Sequence, residues 1–301
     1  MNQMKNELPH IINLPPFMFR GINFSSLNLI SKIVFIIKGK FLSFLVNYTN
    51  NKLFFKSINF FYSKDGKINF KDDLYYKTTL DKREYFYPNK RVLRVVNNYK
   101  QKFNSILEAY CINNLDLNSG DTVVDCGANV GEIYLALIEK NIMVNYYGFE
   151  PDKATFKCLS LNTRNKDSQE NHQVFNIGLS DSNESKKLYL DNDGGNTSLI
   201  DFGTDKSILV ECKTLDSFKI KEKIKLLKVD AEGFEPEVLN GSVLTLKKTE
   251  YVSIDFGAER GLNQDTTVVQ VNEFLYKNNF SLCGFSQHRL VGLYKNNDIS
   301  N

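Results

Sequence analysis

From residue 115 onward, short apolar runs alternate with segments whose apolar positions recur every three or four residues. The runs are "DTVVDC" (121–126), "VNYYGFE" (144–150), "QVFNIGLS" (173–180), "KIKLLKVD" (223–230) and "YVSIDF" (251–256). Each reads as a strand. Between them, "EIYLALIEKN" (132–141) reads as a helix, and "PDKATFKCLSLNTRN" (151–165) as another with Pro in its first turn. "EPEVLNGSVLTLKK" (235–248) suits a helix that breaks or ends near Gly241. Residues 266–278 suit a further helix with Val268, Val271, Phe274 and Leu275 inward, and "FSLCGF" (280–285) with "LVGLYK" (290–295) suits a closing hairpin. Alternation of this kind predicts an α/β sheet with helices on both faces.

The segment 186–213 departs from the alternation. "KKLYL", "DNDGGNTSL" and "SILVEC" read as two strands around a loop, an inserted β-hairpin able to act as a lid. Upstream, Val92, Val96, Tyr99, Phe103, Ile106 and Tyr110 recur at helical steps, predicting one core-facing helix over 91–114. Lys90, Arg91, Arg94, Lys100 and Lys102 read as its solvated charges. The predicted organisation is an apolar, basic extension (1–62), a lead-in segment and helix (63–114), and the main domain (115–301).

Within the extension, "LISKIVFIIKGKFLSFLV" (29–46) is strongly apolar but carries Lys32, Lys38 and Lys40, which argue against a bilayer-spanning helix. Two readings remain open. The segment packs on the core or on a second subunit of a homo-oligomer, or it rests on a membrane surface as a basic amphipathic helix. The first residues lack the order of a signal peptide. Five cysteines with no CxxC pair and only three histidines argue against a disulfide framework or a zinc site, and fit a reducing cytoplasm, including the inner face of its membrane. A net charge of +3 gives no reason to expect nucleic acid.

The chemistry concentrates at strand ends. In an open α/β sheet, ligands sit beyond the carboxyl ends of the strands. The bend "DCGANVG" (125–131) has Gly127, where a Cβ would hinder close approach of a ligand, and Gly131, where a helix starts tight against the strand. A dinucleotide site would read G-x-G-x-x-G; here Asn129 stands where the second glycine would admit a pyrophosphate. Asp125 can accept from a ligand ammonium group. Glu150, at the end of "GFE", is placed to accept from two ribose hydroxyls. A ribose ligand with a cationic amino-acid tail and no phosphate is S-adenosylmethionine.

These motifs, with "GLSD" (178–181), "TLDSF" (214–218) and "LLKVDAEGFEPEVLNG" (226–241), resemble the FkbM family of S-adenosylmethionine-dependent methyltransferases across about 115–256. The resemblance implies a class I methyltransferase (Rossmann-like) fold: a seven-stranded, mostly parallel sheet with the last strand antiparallel. It implies O-methylation, often of sugar hydroxyls in surface glycans or of natural products. The family's nucleotide site maps onto Asp125, Gly127, Ala128, Asn129, Gly131, Glu150 and Pro151. Asp181 is an adenine-side candidate, with a plain turn Asp as the alternative.

Methyl transfer to a hydroxyl profits from a base near the acceptor oxygen. Asp230, ending the fourth strand, is the leading catalytic candidate, and Glu232 could assist it or hold the loop through backbone N–H groups. Asp230 and Asp255, on adjacent strand tips, could together bind Mg²⁺, but no third ligand is evident and the main expectation is a reaction without metal. His288 reads as a solvent-exposed loop residue. Arg260 and Arg289 meet either an acidic substrate or water. The expected function is methylation of a sugar hydroxyl in a cell-surface glycan or its precursor. The alternatives are a natural-product methyltransferase, a NAD-type oxidoreductase, against which Asn129 argues, and a non-catalytic binding subunit on the same fold.

Overall fold

A computed structural model describes residues 14–20, 22–48, 51–164, 172–190 and 197–299. The chain divides into two compact units between residues 102 and 103.

The first unit carries helices α1 (Leu29–Tyr48) and α2 (Asn51–Phe61), then strands β1 (Gly66–Lys71), β2 (Leu74–Thr79) and β3 (Glu84–Tyr87) in one antiparallel sheet. The sequence reading had no sheet here. Lys71 pairs with Leu74 across Asp72 and Asp73, whose φ values of 51° and 61° make a two-residue turn of the kind that matches strand twist. The single helix expected over 91–114 is also interrupted. Lys90–Val95 is a 3-10 turn, Asn98 has φ 50°, and the α-helix proper, α3, runs Tyr99–Ala109. An αL residue cannot continue a right-handed helix, so the periodicity spans two elements.

The second unit contains β4 (Thr122–Cys126), α4 (Glu132–Glu139), β5 (Asn145–Phe149), α5 (Lys153–Asn162), β6 (His172–Phe175), β7 (Gly178–Leu179), β8 (Glu184–Tyr189), β9 (Ser207–Lys213), β10 (Ile224–Val229), α6 (Glu235–Asn240), α7 (Val243–Leu246), β11 (Thr249–Asp255), β12 (Ala258–Arg260), β13 (Asp265–Thr266), α8 (Val268–Lys277), β14 (Phe280–Phe285) and β15 (Val291–Asn296). Seven of these strands form one sheet in the order β14-β15-β11-β10-β4-β5-β6. All neighbours from β11 to β6 pair parallel, and β15 runs antiparallel to both β11 and β14. This is the seven-stranded, mostly parallel sheet with an antiparallel last strand that the resemblance implied. β4 is buried at all five positions, as a central parallel strand covered on both faces must be. The apolar core includes Val124, Phe149, Leu227, Val229, Ile254 and Leu275.

The run "QVFNIGLS" is two strands rather than one. β6 closes the large sheet, whereas β7 leaves it and pairs in parallel with β9, which in turn pairs antiparallel with β8. The inserted hairpin is therefore part of a three-stranded sheet. Most of its expected loop, residues 191–196, lies outside the described residues. The helix of 235–248 breaks at Gly241 into α6 and α7.

Chain order reverses between β4 and β10: from β4 the sheet grows one way through β5 and β6, and from β10 the other way through β11. The crevice beyond the carboxyl ends at that point is where such sheets bind ligands.

Candidate active site

The loop after β4 is held by its own backbone. Ala128 N–H donates to Phe149 O (2.9 Å) and Gly131 N–H to Ala128 O (2.8 Å). Gly127 has φ 68°, and a Cβ there would sit 1.9 Å from the carbonyl oxygen of Asp230. The close approach that demands glycine is thus to the loop after β10, a different partner from the ligand expected above. Gly131, at φ 83°, forms the turn into α4 beside Leu159. Asn129 keeps the left-handed backbone (φ 51°), and its Oδ1 accepts from Val130 N–H at 2.9 Å. That side chain uses a backbone donor that a bound phosphate would need.

Glu150 bridges this loop to the start of α5. One carboxylate oxygen accepts from Asn129 N–H and the other from Asp152 N–H, both at 2.9 Å. Burial raises its pKa to about 7, against the opposing pull of those two bonds. Each oxygen keeps a lone pair for a hydroxyl donor. Pro151 follows, and Asn176 Nδ2 donates to the carbonyls of both Glu150 and Pro151 at 2.9 Å.

Asp125 differs from its expected role. It is almost fully buried and its carboxylate is taken internally: Lys228 Nζ lies 3.0 Å from Oδ1, and Tyr146 OH donates to Oδ2 at 2.7 Å. A ligand ammonium would have to compete with Lys228. Lys228 also donates to the carbonyls of Cys126 (3.0 Å) and Gly127 (2.8 Å), so it ties β10 to the bend. Burial opposes its charge, but Asp125 and Asp230 outweigh burial and raise its pKa. Asp181 is exposed and accepts from Ser180 Oγ and Ser182 Oγ, the arrangement of a turn residue.

Beyond β10, Asp230 Oδ2 accepts a short hydrogen bond from Tyr110 OH and lies 3.5 Å from Arg289 Nη1, while Oδ1 is buried and accepts none. Burial would raise the Asp230 pKa, but Lys228, Arg289, the Tyr110 bond and the nearby backbone N–H of Glu232 reverse this and hold it below the usual carboxylate range. Arg289 Nη1 donates to Tyr110 OH (2.7 Å), and Nη2 is 2.5 Å from Asp255 Oδ2. Arg289 lies in the turn between β14 and β15, beside an exposed His288. Tyr110 is fixed from behind by Ser253 Oγ, which donates to its carbonyl at 2.6 Å.

Glu232 sits at φ 50°. Burial and the charges of Asp230 and Glu259 push its pKa far up, so it carries a proton at neutral pH. The loop-holding role expected of Glu232 belongs to Glu235, whose Oε1 accepts from Ala231 and Gly233 N–H, both at 3.0 Å. Ser198, from the connection between β8 and β9, donates to Glu232 O at 2.7 Å and so brings the insert to this loop. Arg260 donates to Gly233 O (2.6 Å) and pairs with Glu237 (2.7 Å); it braces the loop.

The carboxylates of Asp230 and Asp255, the minority metal pair of the sequence, are bridged by Arg289. Asp255 is turned to Arg289, and carboxylate oxygens of Asp230, Glu232 and Glu259 instead lie within 4.8 Å of one another.

The arrangement can do three things chemically. It offers a glycine-lined bend with a buried carboxylate on the neighbouring strand tip, which fits a ribose ligand without phosphate. It holds one ionised carboxylate by a single oxygen. It surrounds that group with further carboxyls, which suits a hydroxyl-rich acceptor better than an anion.

The sequence profile of the Methyltransferase FkbM domain matches residues 125–285, more than half of the chain. A methyltransferase of Sordaria araneosa, sdnD, is 28% identical over 173 residues, covering 46% of this chain and 67% of the relative. Among solved structures, Streptococcus pneumoniae Sp1610 in complex with S-adenosyl-L-methionine aligns over 65% of this chain and 74% of its own, with 10% identity and a TM-score of 0.39. A SAM-dependent methyltransferase from Aquifex aeolicus aligns over 65% and 97%, with 14% identity and a TM-score of 0.37.

Proposed function

The chain belongs to the FkbM methyltransferase family, and we propose that it transfers a methyl group to a hydroxyl of a sugar in a cell-surface glycan or glycan precursor, with Asp230 as the base. It is an S-adenosylmethionine-dependent methyltransferase. When bound, S-adenosylmethionine supplies the electrophilic methyl group. The bend 127–131 and Glu150 are the residues that would hold its nucleoside part: the buried Glu150 carboxylate, fixed by Asn129 and Asp152 N–H, keeps a lone pair on each oxygen for the ribose hydroxyls. The reading needs no metal, and Mg²⁺ enters only if the trio Asp230, Glu232 and Glu259 proves to take a cation.

The observation that carries the catalytic part is the asymmetry of Asp230. Its Oδ2 is engaged by Tyr110 and Arg289, and its buried Oδ1 accepts no hydrogen bond. A buried carboxylate oxygen left bare costs free energy unless another donor reaches it, and an acceptor hydroxyl is such a donor. Oδ1 would accept the hydroxyl proton as the new C–O bond forms. The depressed Asp230 pKa keeps it ionised and therefore able to accept. Glu232, protonated and hydrogen-bonded to Glu259, adds no further negative charge beside Asp230. Both nearby cations are already neutralised, Lys228 by Asp125 and Arg289 by Asp255, so the site lacks a spare positive charge for an anionic acceptor.

The test is methyl transfer from S-adenosylmethionine to a panel of neutral and anionic glycan precursors, followed by release of S-adenosylhomocysteine. A methylated sugar hydroxyl, with Asp230→Asn reducing kcat by about 10²-fold or more at unchanged donor affinity, is the expected result. Full activity of Asp230→Asn on a confirmed acceptor would overturn the assignment of the base. Exclusive turnover of an acidic or non-hydroxyl acceptor would overturn the substrate class.

A further inference from the structure

Helix α1 turns an apolar stripe outward. Ile30 is 74% exposed, Val34 59%, Ile37 64% and Phe44 56%. At 3.6 residues per turn, Ile30, Ile33, Val34, Ile37, Phe41 and Phe44 fall in a sector about 100° wide. Apart from Phe41, whose ring meets Phe61 of α2, the stripe is not what holds the helix to its own unit. Gly39, Leu42 and Leu45 are buried on other faces, and Gly39 lies close against Leu14. Apolar surface this continuous, on a helix of 20 residues, marks a docking face.

Charge identifies the occupant. From Leu14 to Tyr62 the chain carries Arg20, Lys32, Lys38, Lys40, Lys52 and Lys56, and no Asp or Glu. On the helical wheel Lys38 and Lys40 fall on opposite flanks of the stripe. Lys40 is exposed, and the Lys38 ammonium lies over the rings of Phe61 (4.9 Å) and Tyr62 (4.6 Å). A second copy docked on this face would set an all-basic segment against itself, with no acidic side chain to offset the repulsion. An anionic lipid surface meets both demands: its acyl boundary takes the stripe, and its phosphates take the flanking lysines. Among the described residues, no helix is long and apolar enough to cross a membrane.

We propose that the exposed face of α1 docks in the plane of a bilayer containing anionic lipid, as a peripheral anchor. The proposal rests on this helix alone and is independent of the methyl acceptor.

Flotation of the full-length protein with vesicles tests it. One set is phosphatidylcholine alone, and the other is an equal mixture with phosphatidylglycerol. Binding to the mixed vesicles, weak binding to phosphatidylcholine, and release as salt is raised are expected. The double variant Ile37→Glu/Phe44→Glu, both positions exposed, should bind about tenfold more weakly or worse, and Lys38→Gln/Lys40→Gln should lose most of the preference for the anionic vesicles. Circular dichroism and S-adenosylmethionine binding check that the variants stay folded. Three outcomes would overturn the proposal: no binding to mixed vesicles, equal binding to both sets, or a concentration-dependent dimer abolished by the Glu variant without vesicle binding. The last would assign the stripe to a second copy.

Discussion

Tyr110 and Asp230 are 120 positions apart in the chain and joined by a hydrogen bond from the phenol to Oδ2, with Arg289 donating to the same phenol. The phenol is therefore locked as a donor to Asp230, since its own oxygen receives the guanidinium. Burial and the Asp230 charge raise the Tyr110 pKa well above its ordinary value, so the proton stays on tyrosine. Tyr110 and Arg289 are positioning residues: they fix which oxygen of Asp230 is left for an acceptor.

Tyr110→Phe should keep the ring and lose the bond. The expected outcome is a fall in kcat of roughly tenfold, with S-adenosylmethionine affinity within about threefold, and a rise in the acidic limb of the pH–rate profile as Asp230 loses a partner that lowers its pKa. A purely structural role would lower the melting temperature and leave that limb in place. Steady-state kinetics across pH separates the two.

Lys228 and Asp125 form a buried ion pair at the root of the bend. Removing one charge leaves the other uncompensated. Lys228→Met should destabilise the fold by about 3–5 kcal/mol. Adding Asp125→Asn should recover a large part of that loss, because the orphaned carboxylate is then neutral. Denaturant titration of both single variants and the double variant measures the coupling. Additive losses would mean that Lys228 acts only through the carbonyls of Cys126 and Gly127.

Gly127 and Gly120 both have positive φ, 68° and 92°, yet they differ in surroundings. A Cβ at 127 meets the Asp230 carbonyl at 1.9 Å, and at 120 it meets nothing within 4 Å. Gly120→Ala should cost only about 1 kcal/mol of backbone strain. Gly127→Ala should force the loops after β4 and β10 apart and abolish both donor binding and turnover. Calorimetry with S-adenosylmethionine on the two variants checks the contrast, and intact binding by Gly127→Ala would sink it.

How much of this was legible in the sequence depends on the range of each signal. The strands and their tips follow from local apolar runs, so Gly127, Glu150 and Asp230 were placed at carboxyl ends before any fold was known. The bend's partner was not, because nothing local says that the backbone of Asp230 passes under Gly127. Tyr110 looked like one more core position on a helical face, and Arg289 like a partner for an acidic substrate or for water, since only the assembled sheet brings β15 beside β11. Lys228 did leave a signal. A lysine between Leu227 and Val229, in a strand flanked by others on both sides, has no route to water and so demands a buried acid. Asp125, one strand over, is that acid. The sheet of β1 to β3 was missed because Asp72-Asp73 is a weaker turn signal than a glycine pair.

Chelation gives a direct answer on metal. Glu232 is held neutral by burial and by its neighbours, and Oδ2 of Asp230 is already occupied, so the trio with Glu259 is short of free ionised ligands. Protein dialysed against EDTA should keep its rate, and added Mg²⁺ should change it by less than about twofold. A chelator-sensitive rate, restored by Mg²⁺ and lost in Glu259→Gln, would instead make this trio a cation site.

The pH dependence of stability follows from Glu235. It is buried, its Oε1 accepts from Ala231 and Gly233 N–H, and Thr267 Oγ1 donates to its Oε2 at 3.0 Å. Burial, with the Asp230 charge adding to it, raises its pKa to about 7 from an ordinary 4.5, and those backbone bonds only partly offset the rise. The folded state therefore holds a proton that the unfolded chain releases above pH 4.5. The stabilisation is complete below that point and is lost as pH climbs through about 7. At roughly 1.4 kcal/mol per pKa unit the loss is on the order of 3 kcal/mol. Glu150 and Asp255, also raised to about 7, and Glu232, raised further, add losses of the same sign over this window. Glu235→Gln keeps an oxygen for the two N–H groups and cannot ionise. Urea titrations should show the wild type losing stability from pH 4.5 to 7.5, and Glu235→Gln losing less, by a margin on the order of 3 kcal/mol. Identical slopes for the two proteins would mean that Glu235 is ionised in the fold and that the carboxylate, held by its N–H donors, is the form that braces the loop after β10.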